Sequence, residues 1–429
     1  MKRYKNGVDL IQAGTEVELE AKEWTSYHSF LLFFTSILTF FGLFSVVFSS
    51  LVSKNIEESF GWAEGEILIY FGIISIGGLF AIIPRYLADR YGRKPFVLIY
   101  AIISTTAVIG SNFSFDTSIF ILLRIVSGLF GINLATLIIS EEVPARHRGK
   151  AIGVITGIGM TSSILAAYLL TLAGTLDMWR YLYSIVAFIG IIIISILWIK
   201  LRETRRFVHS KSQKRQSHSI FKPFQRKYLK ILILSGLTLF LTTWIYFTIK
   251  YYFRFFFKYE RGDFIPESEL GIWMMFIFIG SIIGYYSAGY LSDKIGRKKS
   301  IYITITIYFI ASVIFLTTWN VTLIFISFFI INISFAIFRL IMDILAVEFF
   351  QTDVRAAGSG WIFTFAALAG IVGNFIMKSL KDALGSWGTM FFIVGTACLI
   401  ALVIITFFIP ETKQRVVEEI YKTEIEKEV

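Results

Sequence analysis

Several residues that could bind an anion or carry a proton lie inside long apolar stretches of the sequence. Arg339 and Asp343 are four residues apart, which would place them on one face of a helix. They either neutralise each other or form a site where the carboxyl group takes up a proton, since burial favours its neutral form. Arg124 lies in another apolar stretch, and it either contacts a substrate or extends to the membrane surface.

Uncharged polar residues accompany these charges. Polar groups at membrane depth are energetically costly and are therefore candidates for function, although aromatic ones can also serve packing or an interfacial belt. Lys250 and Arg254 are expected to reach lipid headgroups instead. The further candidates for a substrate or proton pathway are Asn133, Thr243, Trp244, Tyr246 and Asn332.

A charged motif around Asp89 occurs again around Asp293, roughly 200 residues later. Two further charged pairs recur at a similar separation, which indicates two similar halves. The repeats supply the candidate gate residues Asp89, Arg90, Gly92, Arg93, Glu141, Arg148, Glu203, Asp293, Gly296, Arg297, Glu348, Arg355 and Glu411.

The charge pattern of these repeats predicts a network of ion pairs. Arg93 and Arg148 can pair with Glu141, and the second half repeats this arrangement. Asp89 and Asp293 are expected near the positive end of a neighbouring helix. The network forms an inner gate that closes when the protein faces outward, or the basic loops serve only as an insertion signal.

The composition is that of a membrane protein. Of the 429 residues, 56% are hydrophobic and only 17% are charged, whereas a soluble domain has about 25% charged residues. Apolar runs of about 20 residues alternate with short charged segments, and each is long enough to cross a bilayer. The predicted spans are 27–52, 67–84, 96–112, 117–140, 151–173, 181–199, 231–253, 270–290, 301–318, 321–347, 356–378 and 390–408.

The net charge of +11 reflects membrane topology rather than nucleic-acid binding. With twelve spans, 31 of the 41 Lys and Arg residues fall on the side that carries both chain termini. Basic segments remain cytoplasmic during insertion, so both termini are predicted to be in the cytoplasm, with the protein in the plasma membrane. The lipid bilayer and its anionic headgroups are the expected partners.

The predicted organisation has five parts. A cytoplasmic tail (1–26) precedes an N-terminal six-helix bundle (27–200). A basic cytoplasmic linker (201–230) joins it to a C-terminal six-helix bundle (231–409), and a cytoplasmic tail (410–429) follows. The protein is expected to be a monomer.

The sequence offers no enzymatic constellation. It contains no Walker-type phosphate loop and no nucleophile–base arrangement. Its four histidines lack metal-ligand spacing, and the single Cys398 cannot form a disulfide within the chain. We therefore expect no enzyme activity, no cofactor and no metal.

The motifs resemble those of the major facilitator superfamily of secondary transporters. The segments around Asp89 and Asp293 are similar to its Gly-x-Leu-Ala-Asp-Arg-x-Gly-Arg-Lys motif, with Arg85 at the leading glycine of the first copy. Glu141–Gly149 and Pro410–Lys413 are similar to motifs of its sugar-porter branch. The resemblance implies an all-α fold of two six-helix bundles, with spans 1, 4, 7 and 10 lining a central cavity.

The resemblance also implies transport of a small organic solute, such as a metabolite, an organic anion or a sugar-like molecule, with a coupled proton as an open alternative. Span 1 lacks the acidic residue that many proton symporters of this superfamily have there. No span contains Gln, with which sugar porters bind hexose, and this weakens the hexose interpretation. Span 5 lacks the Pro-Gly pair of drug antiporters, which weakens drug efflux. The alternatives are a multidrug exporter and a transporter-like nutrient receptor.

Overall fold

The computed structural model describes residues 23–80, 82–131, 134–173, 177–205, 208, 221–261, 267–348, 350 and 354–408. At some of these positions, Asp89 and Asp293 among them, it describes only the backbone. Within this part of the chain the regular structure is helical, without strands. Eleven helical segments of it are long and apolar enough to cross a membrane, and the shorter apolar segment Glu66–Leu79 belongs to a twelfth span. The predicted all-α membrane fold is confirmed.

The first half contains spans 1 to 6, and a short helix, Ser53–Ser59, follows span 1. Spans 2 and 4 are interrupted, whereas the others are continuous. The helices of these spans are Ser26–Leu51 (span 1), Glu66–Ile74, Ile76–Leu79 and Ile82–Tyr91 (span 2), Arg93–Asn112 (span 3), Thr117–Phe130 and Ala135–Glu142 (span 4), Ala145–Leu172 (span 5) and Met178–Trp198 (span 6).

The second half begins after a 3-10 turn at Lys222–Phe224. Each of its six spans is one continuous helix. These helices are Arg226–Arg261 (span 7), Glu267–Ile295 (span 8), Arg297–Thr317 (span 9), Val321–Glu348 (span 10), Arg355–Leu384 (span 11) and Trp387–Phe408 (span 12).

The two charged motifs, expected to be loops, are helical except at one glycine each. Span 2 continues to Tyr91 and span 3 begins at Arg93, so that only Gly92 separates them. Gly92 has a φ of 117° and Gly296, at the equivalent break, has a φ of 101°. L-residues with a side chain rarely adopt such angles, so glycine makes this one-residue corner possible. Charged residues can continue a helix into water. The charged composition therefore predicted connecting segments longer than the one-residue breaks at Gly92 and Gly296.

Span 7 is longer than the predicted segment 231–253. Its 36 residues rise about 54 Å, which exceeds the roughly 30 Å hydrocarbon core of a bilayer. The helix therefore projects beyond the membrane, and its last turns carry Arg254, Lys258 and Arg261. This extension allows residues of the second half to reach the short helix that follows span 1.

The halves share one packing scheme. Span pairs 1–5, 2–4, 3–4 and 3–6 contact each other in the first half, and their equivalents 7–11, 8–10, 9–10 and 9–12 do so in the second. Between the halves, span 5 packs on span 8 and span 2 packs on span 11. A Cβ atom added to Gly271 of span 8 would lie 2.6 Å from the carbonyl oxygen of Ala167 in span 5. Glycine is therefore needed for this close approach.

Candidate functional site

A cavity of about 550 Å³ lies between the two halves. This volume falls in the usual range for small-molecule sites. The wall extends from Ile56, in the short helix after span 1, to Val97, one turn from the start of span 3. Residues of both halves form it, including Ser45, Phe71, Arg124 and Tyr183 of the first and Thr243, Phe247, Arg339 and Gly370 of the second.

Three of the predicted pathway residues lie on this wall. They are Arg124 of span 4, Thr243 of span 7 and Arg339 of span 10. Arg339 Nη1 donates a hydrogen bond to Thr243 Oγ1 at 3.4 Å, and its Nε donates to Asp343 Oδ1 at 3.0 Å. The structure therefore shows the ion pair that the four-residue spacing predicts, with its arginine facing the cavity.

Trp244, Tyr246 and Asn332, which were also predicted for the substrate or proton pathway, are not among the described residues of the cavity wall. Trp244 Nε1 donates to the carbonyl oxygen of Gly373 in span 11 at 3.1 Å, and Tyr246 stacks on Phe335. The reason is helical periodicity, because Thr243 and Phe247, four residues apart, face the cavity while the residues between them point into the second bundle.

Asn332 forms hydrogen bonds in the interior of the second half. Its Nδ2 donates to the carbonyl oxygen of Phe328 at 2.9 Å, and its Oδ1 accepts from Ser281 Oγ at 3.2 Å. The second of these bonds joins spans 8 and 10. Asn133, the remaining member of the predicted pathway, lies outside the described residues.

Arg124 is buried and points into the protein, so it does not extend to the membrane surface. Its residue surface is 6% exposed. Nη1 donates to Ser49 Oγ at 2.9 Å and to Tyr183 Oη at 3.0 Å, while Nη2 donates to Asn112 Oδ1 at 2.9 Å. The guanidinium carbon also lies 4.8 Å from the centre of the Tyr183 ring. All of these partners are electrically neutral.

The hydroxyl groups around Arg124 were not predicted as functional. Tyr183 Oη lies 2.6 Å from Ser45 Oγ and 3.1 Å from Ser49 Oγ. Ser45 and Ser49 are four residues apart in span 1, on the same helical face. That spacing is visible in the sequence, but serines are common in membrane helices, and only the fold brings Tyr183 of span 6 beside them.

Polar contacts join the two halves at the end of the bundle opposite the motif glycines Gly92 and Gly296, which we call the opposite end. Lys258 Nζ of span 7 donates to Glu58 Oε1 at 3.0 Å. Arg254 Nη1 donates to the carbonyl oxygen of Leu51 at 2.7 Å and to Asn55 Oδ1 at 2.8 Å. The prediction that Arg254 reaches headgroups is wrong, since the residue is only 4% exposed. The side chain of Lys250 is not described.

A third contact at the opposite end involves Glu64, between spans 1 and 2. Glu64 Oε1 accepts from Lys381 Nζ and from Trp387 Nε1, both at 2.9 Å. Burial raises the pKa of the Glu64 carboxyl, but the hydrogen bonds from Lys381 and Trp387 outweigh burial and hold this pKa below its usual value. We call these three inter-half contacts the opposite-end latch. The complementary charges of the loop 54–66 and of spans 7 and 11 could have indicated it.

Glu57 lies close to the latch residues Lys258 and Glu64. Its buried carboxyl oxygen Oε2 has no hydrogen-bond partner among the described residues. Burial raises its pKa to about 7, against the opposing effects of the backbone N–H groups of Ile67 and Gly65 and of Lys258. The nearby Glu64 carboxylate raises it further. Glu57 therefore changes protonation near neutral pH.

The end of the bundle with the motif glycines, the basic end, contains a buried ion pair of the first half. Arg93 Nη2 donates to Glu141 Oε1 at 2.8 Å, and Arg93 Nε donates to Glu141 Oε2 at 3.1 Å. Such a bidentate pair is strong and geometrically specific. Arg93 Nη1 also donates to the carbonyl oxygen of Ala88 at 3.3 Å. The pair fixes the start of span 3 against the end of span 4.

Glu203 caps the start of span 3. Its Oε1 accepts from the backbone N–H of Arg93 at 2.8 Å, and its Oε2 accepts from that of Lys94 at 3.2 Å. A carboxylate is favourable at this positive helix end. Nearby, Glu142 accepts from the backbone N–H of Arg205, and burial raises the pKa of the Glu142 carboxyl. The segment after span 6 is thus fastened to spans 3 and 4.

The second half repeats part of this arrangement. Arg297 Nη1 donates to the carbonyl oxygen of Ser292 at 3.4 Å, as Arg93 does to Ala88. Arg90 is exposed, and its guanidinium lies 5.3 Å from the centre of the Tyr91 ring. Glu411 lies outside the described residues, and only the backbone is described at Asp89, Arg148, Asp293, Glu348 and Arg355.

Comparison with known sequences agrees with the motif resemblance. The sequence profile of the Major Facilitator Superfamily matches residues 30–264 and 239–426. The probable metabolite transport protein CsbC of Bacillus subtilis (strain 168) is 24% identical over 378 residues, covering 78% of this chain and 80% of that protein. The probable 4-methylmuconolactone transporter of Cupriavidus pinatubonensis is 26% identical over 364 residues, covering 81% of each. The putative niacin/nicotinamide transporter NiaP of Bacillus subtilis (strain 168) is 23% identical over 345 residues, covering 77% of this chain and 83% of that protein.

Solved structures share the fold. The xylose transporter XylE from E. coli in an inward open conformation matches with a TM-score of 0.74 at 17% identity, covering 94% of this chain and 99% of that one. The nucleoside transporter NupG matches with a TM-score of 0.70 at 15% identity, covering 88% of this chain and all of that one.

Proposed function

Because this chain belongs to the major facilitator superfamily, we propose that it is a secondary active transporter that moves a small organic solute across the membrane by alternating access. The relatives named above are described as transporters of a metabolite, of 4-methylmuconolactone and of niacin or nicotinamide, which are all small organic solutes. The proposed activity is transport without chemical conversion, and it requires no cofactor.

The observation that carries this proposal is the cavity shared by the two halves, together with the latch that joins the halves at one end. A solute in the cavity would contact both bundles, for example through Arg124 and Arg339. The latch of Lys258–Glu58, Arg254–Asn55 and Glu64–Lys381 stabilises the conformation that is closed at the opposite end. Breaking these contacts while forming others at the basic end would close the basic end and open the cavity at the opposite end.

The gate at the basic end is the counterpart of the latch in this proposal. Arg93, Glu141 and Glu203 hold spans 3, 4 and the segment after span 6 as one unit. A rigid unit at the basic end would move as a body when the halves rock. The other candidate gate residues of both halves, including Asp89, Asp293 and Arg297, would supply contacts across this end when the opposite end opens.

Proton coupling would depend on Asp343. Its carboxylate neutralises Arg339, whose other side faces Thr243 and the cavity. Protonation of Asp343 would break this ion pair and release one positive charge at the cavity wall. A change of that kind can favour one of two conformations, as coupled transport requires.

The proposed topology places the basic end in the cytoplasm and the opposite end outside, with the protein in the plasma membrane as a monomer. The basic segments of the sequence support this orientation. The conformation described above would then face the cytoplasm.

Solute counterflow in proteoliposomes tests the proposal. Purified protein should exchange labelled solute from a panel of sugars, organic acids and aromatic compounds, and empty liposomes provide the baseline. A variant with Ala63→Cys, Ala383→Cys and Cys398→Ser allows a cross-linker to fasten the opposite end, since Ala63 and Ala383 are exposed there on different halves. Cross-linking should stop counterflow, and cleavage of the linker should restore it.

Two results would contradict transport by alternating access. One is counterflow that continues unchanged after complete cross-linking. The other is a protein that a solute stabilises against heat but that never exchanges it, which would favour a nutrient receptor.

A further inference from the structure

Arg124 is a buried cation whose described hydrogen-bond partners carry no negative charge. Two hydroxyl groups and one amide oxygen accept three of its hydrogen bonds. A guanidinium has five N–H groups, and Nε of Arg124 is buried without an acceptor. Burying a charge costs several kcal/mol unless an opposite charge compensates it. Among the described residues, Arg124 therefore has no counter-ion, and part of its hydrogen-bonding capacity is unused.

Its position gives an anion access to this charge. Arg124, Ser45, Ser49 and Tyr183 all line the cavity between the halves. The Tyr183 hydroxyl donates to the carbonyl oxygen of Ser45 at 2.7 Å and accepts from Arg124 Nη1. The hydroxyl groups of Ser45 and Ser49 lie within 3.1 Å of Tyr183 Oη and can rotate to donate to an oxyanion. A cation with two hydroxyl donors beside it is suited to binding an oxyanion.

The cavity offers one uncompensated positive charge. Among its described lining residues, only Arg124 and Arg339 carry a formal charge, and Arg339 is paired with Asp343 at 3.0 Å. Much of the remaining wall is apolar and includes Phe71 and Phe247. A single net charge matches a monoanion better than a dianion, and the aromatic side chains favour an apolar body over a polyol.

We infer that the cavity binds a small monocarboxylate with an apolar, ring-sized body, whose carboxylate accepts hydrogen bonds from Arg124 and the neighbouring hydroxyl groups. This inference rests on the proposed transport function, because it assigns the solute that would be carried. It excludes neutral sugars as the preferred ligand. It also differs from a purely structural role of Arg124, which would join spans 1, 3 and 6 to span 4 without selecting an anion.

Equilibrium binding to the purified protein separates these roles. Benzoate serves as the probe, benzamide as its neutral counterpart of the same shape, and phenyl phosphate as an oxyanion with greater charge. At pH 7.5 benzoate should bind at least about tenfold more tightly than benzamide, since hydrogen bonds to charged groups are the stronger ones. It should also bind more tightly than phenyl phosphate.

Three variants assign the preference to Arg124. Arg124→Gln should remove the preference for benzoate over benzamide, and Arg124→Lys, which retains the charge, should keep part of it. Arg261→Gln is the matched control, because Arg261 is also buried but donates to the carbonyl oxygen of Leu316 away from the cavity. It should leave the preference unchanged. A structural role alone would change stability in Arg124→Gln without changing the ratio of the two affinities.

The outcomes of this experiment are distinct from those of the transport assay. Equal binding of benzoate and benzamide by the parent protein would overturn the inference even if no Arg124 variant folds. A folded Arg124→Gln that keeps the preference, or tighter binding of phenyl phosphate, would also overturn it. Counterflow of a neutral sugar with no response to benzoate would support the transport function and overturn the assignment of a monocarboxylate as its solute. Benzoate selectivity without any counterflow would retain the anion site and reject transport.

Discussion

Replacement of Arg254 should open the opposite end of the bundle. Arg254 extends from the long helix of span 7 and donates to the carbonyl oxygen of Leu51 and to Asn55 Oδ1, both in the first half. Unlike the pair Lys258–Glu58, whose side chains are 30% and 39% exposed, Arg254 is almost entirely buried. Its hydrogen bonds are therefore the part of the latch that water weakens least.

The expected magnitude follows from this difference in burial. A hydrogen bond from a charged donor contributes about 1.5–3 kcal/mol. Arg254→Gln keeps a shorter, neutral donor, so we expect the closed conformation to lose about 2 kcal/mol, which is roughly a 30-fold change in the equilibrium between closed and open. An exposed ion pair contributes about 0–1 kcal/mol, so Lys258→Gln should change this equilibrium by at most about fivefold.

Distances between spin labels at Ala63→Cys and Ala383→Cys, in a Cys398→Ser background, measure this equilibrium. The parent protein should show mainly the short distance of the closed conformation. Arg254→Gln should add a clear second population at longer distance, and Lys258→Gln should add little. An unchanged distribution in Arg254→Gln, or a larger opening in Lys258→Gln, would refute the assignment of the latch to the buried hydrogen bonds.

Three further predictions concern other charged groups. The raised pKa of Glu57, about 7, means that the closed conformation holds its proton more tightly than a conformation in which water reaches the carboxyl. Closure should therefore be favoured most at low pH and should weaken as the pH rises through about 7, which the same label distances will show between pH 5 and 8. Arg93→Ala should leave the Glu141 carboxylate buried without its partner and destabilise the protein by about 3–5 kcal/mol, measured as a lower melting temperature. Asp343→Asn should retain solute counterflow but abolish accumulation driven by a pH gradient in proteoliposomes.

Each of these predictions has a control. Glu57→Gln should make closure independent of pH, whereas Glu66→Gln, at the start of span 2, should leave the pH dependence of closure unchanged. Arg90→Ala should change the melting temperature little, because Arg90 is exposed in the same motif. Asp382→Asn, at the exposed end of span 11, should leave accumulation unaffected. Loss of counterflow together with accumulation in Asp343→Asn would mean that Asp343 serves solute movement itself rather than coupling.

The sequence was sufficient for the architecture. Apolar runs of membrane-spanning length identify the spans because a helix must satisfy its own backbone hydrogen bonds within lipid. The repeated motifs indicated two halves, and the spacing of Arg339 and Asp343 predicted their ion pair. The predicted ends of the helices were less accurate where a helix continues through charged residues, as in the motif around Gly92 and in the long helix of span 7. A charged segment can be helical in water, so its composition does not reveal where the helix ends.

Tertiary structure decided which polar residues share a site. Thr243 and Trp244 are adjacent in sequence, and both were candidates for the substrate or proton pathway. Only the packing of span 7 places Thr243 on the cavity wall and Trp244 against Gly373. Likewise, Ser49, Arg124 and Tyr183 come together from three different spans. Periodicity indicates which residues share a face of one helix, but the neighbour of that face depends on the crossing and rotation of every other helix.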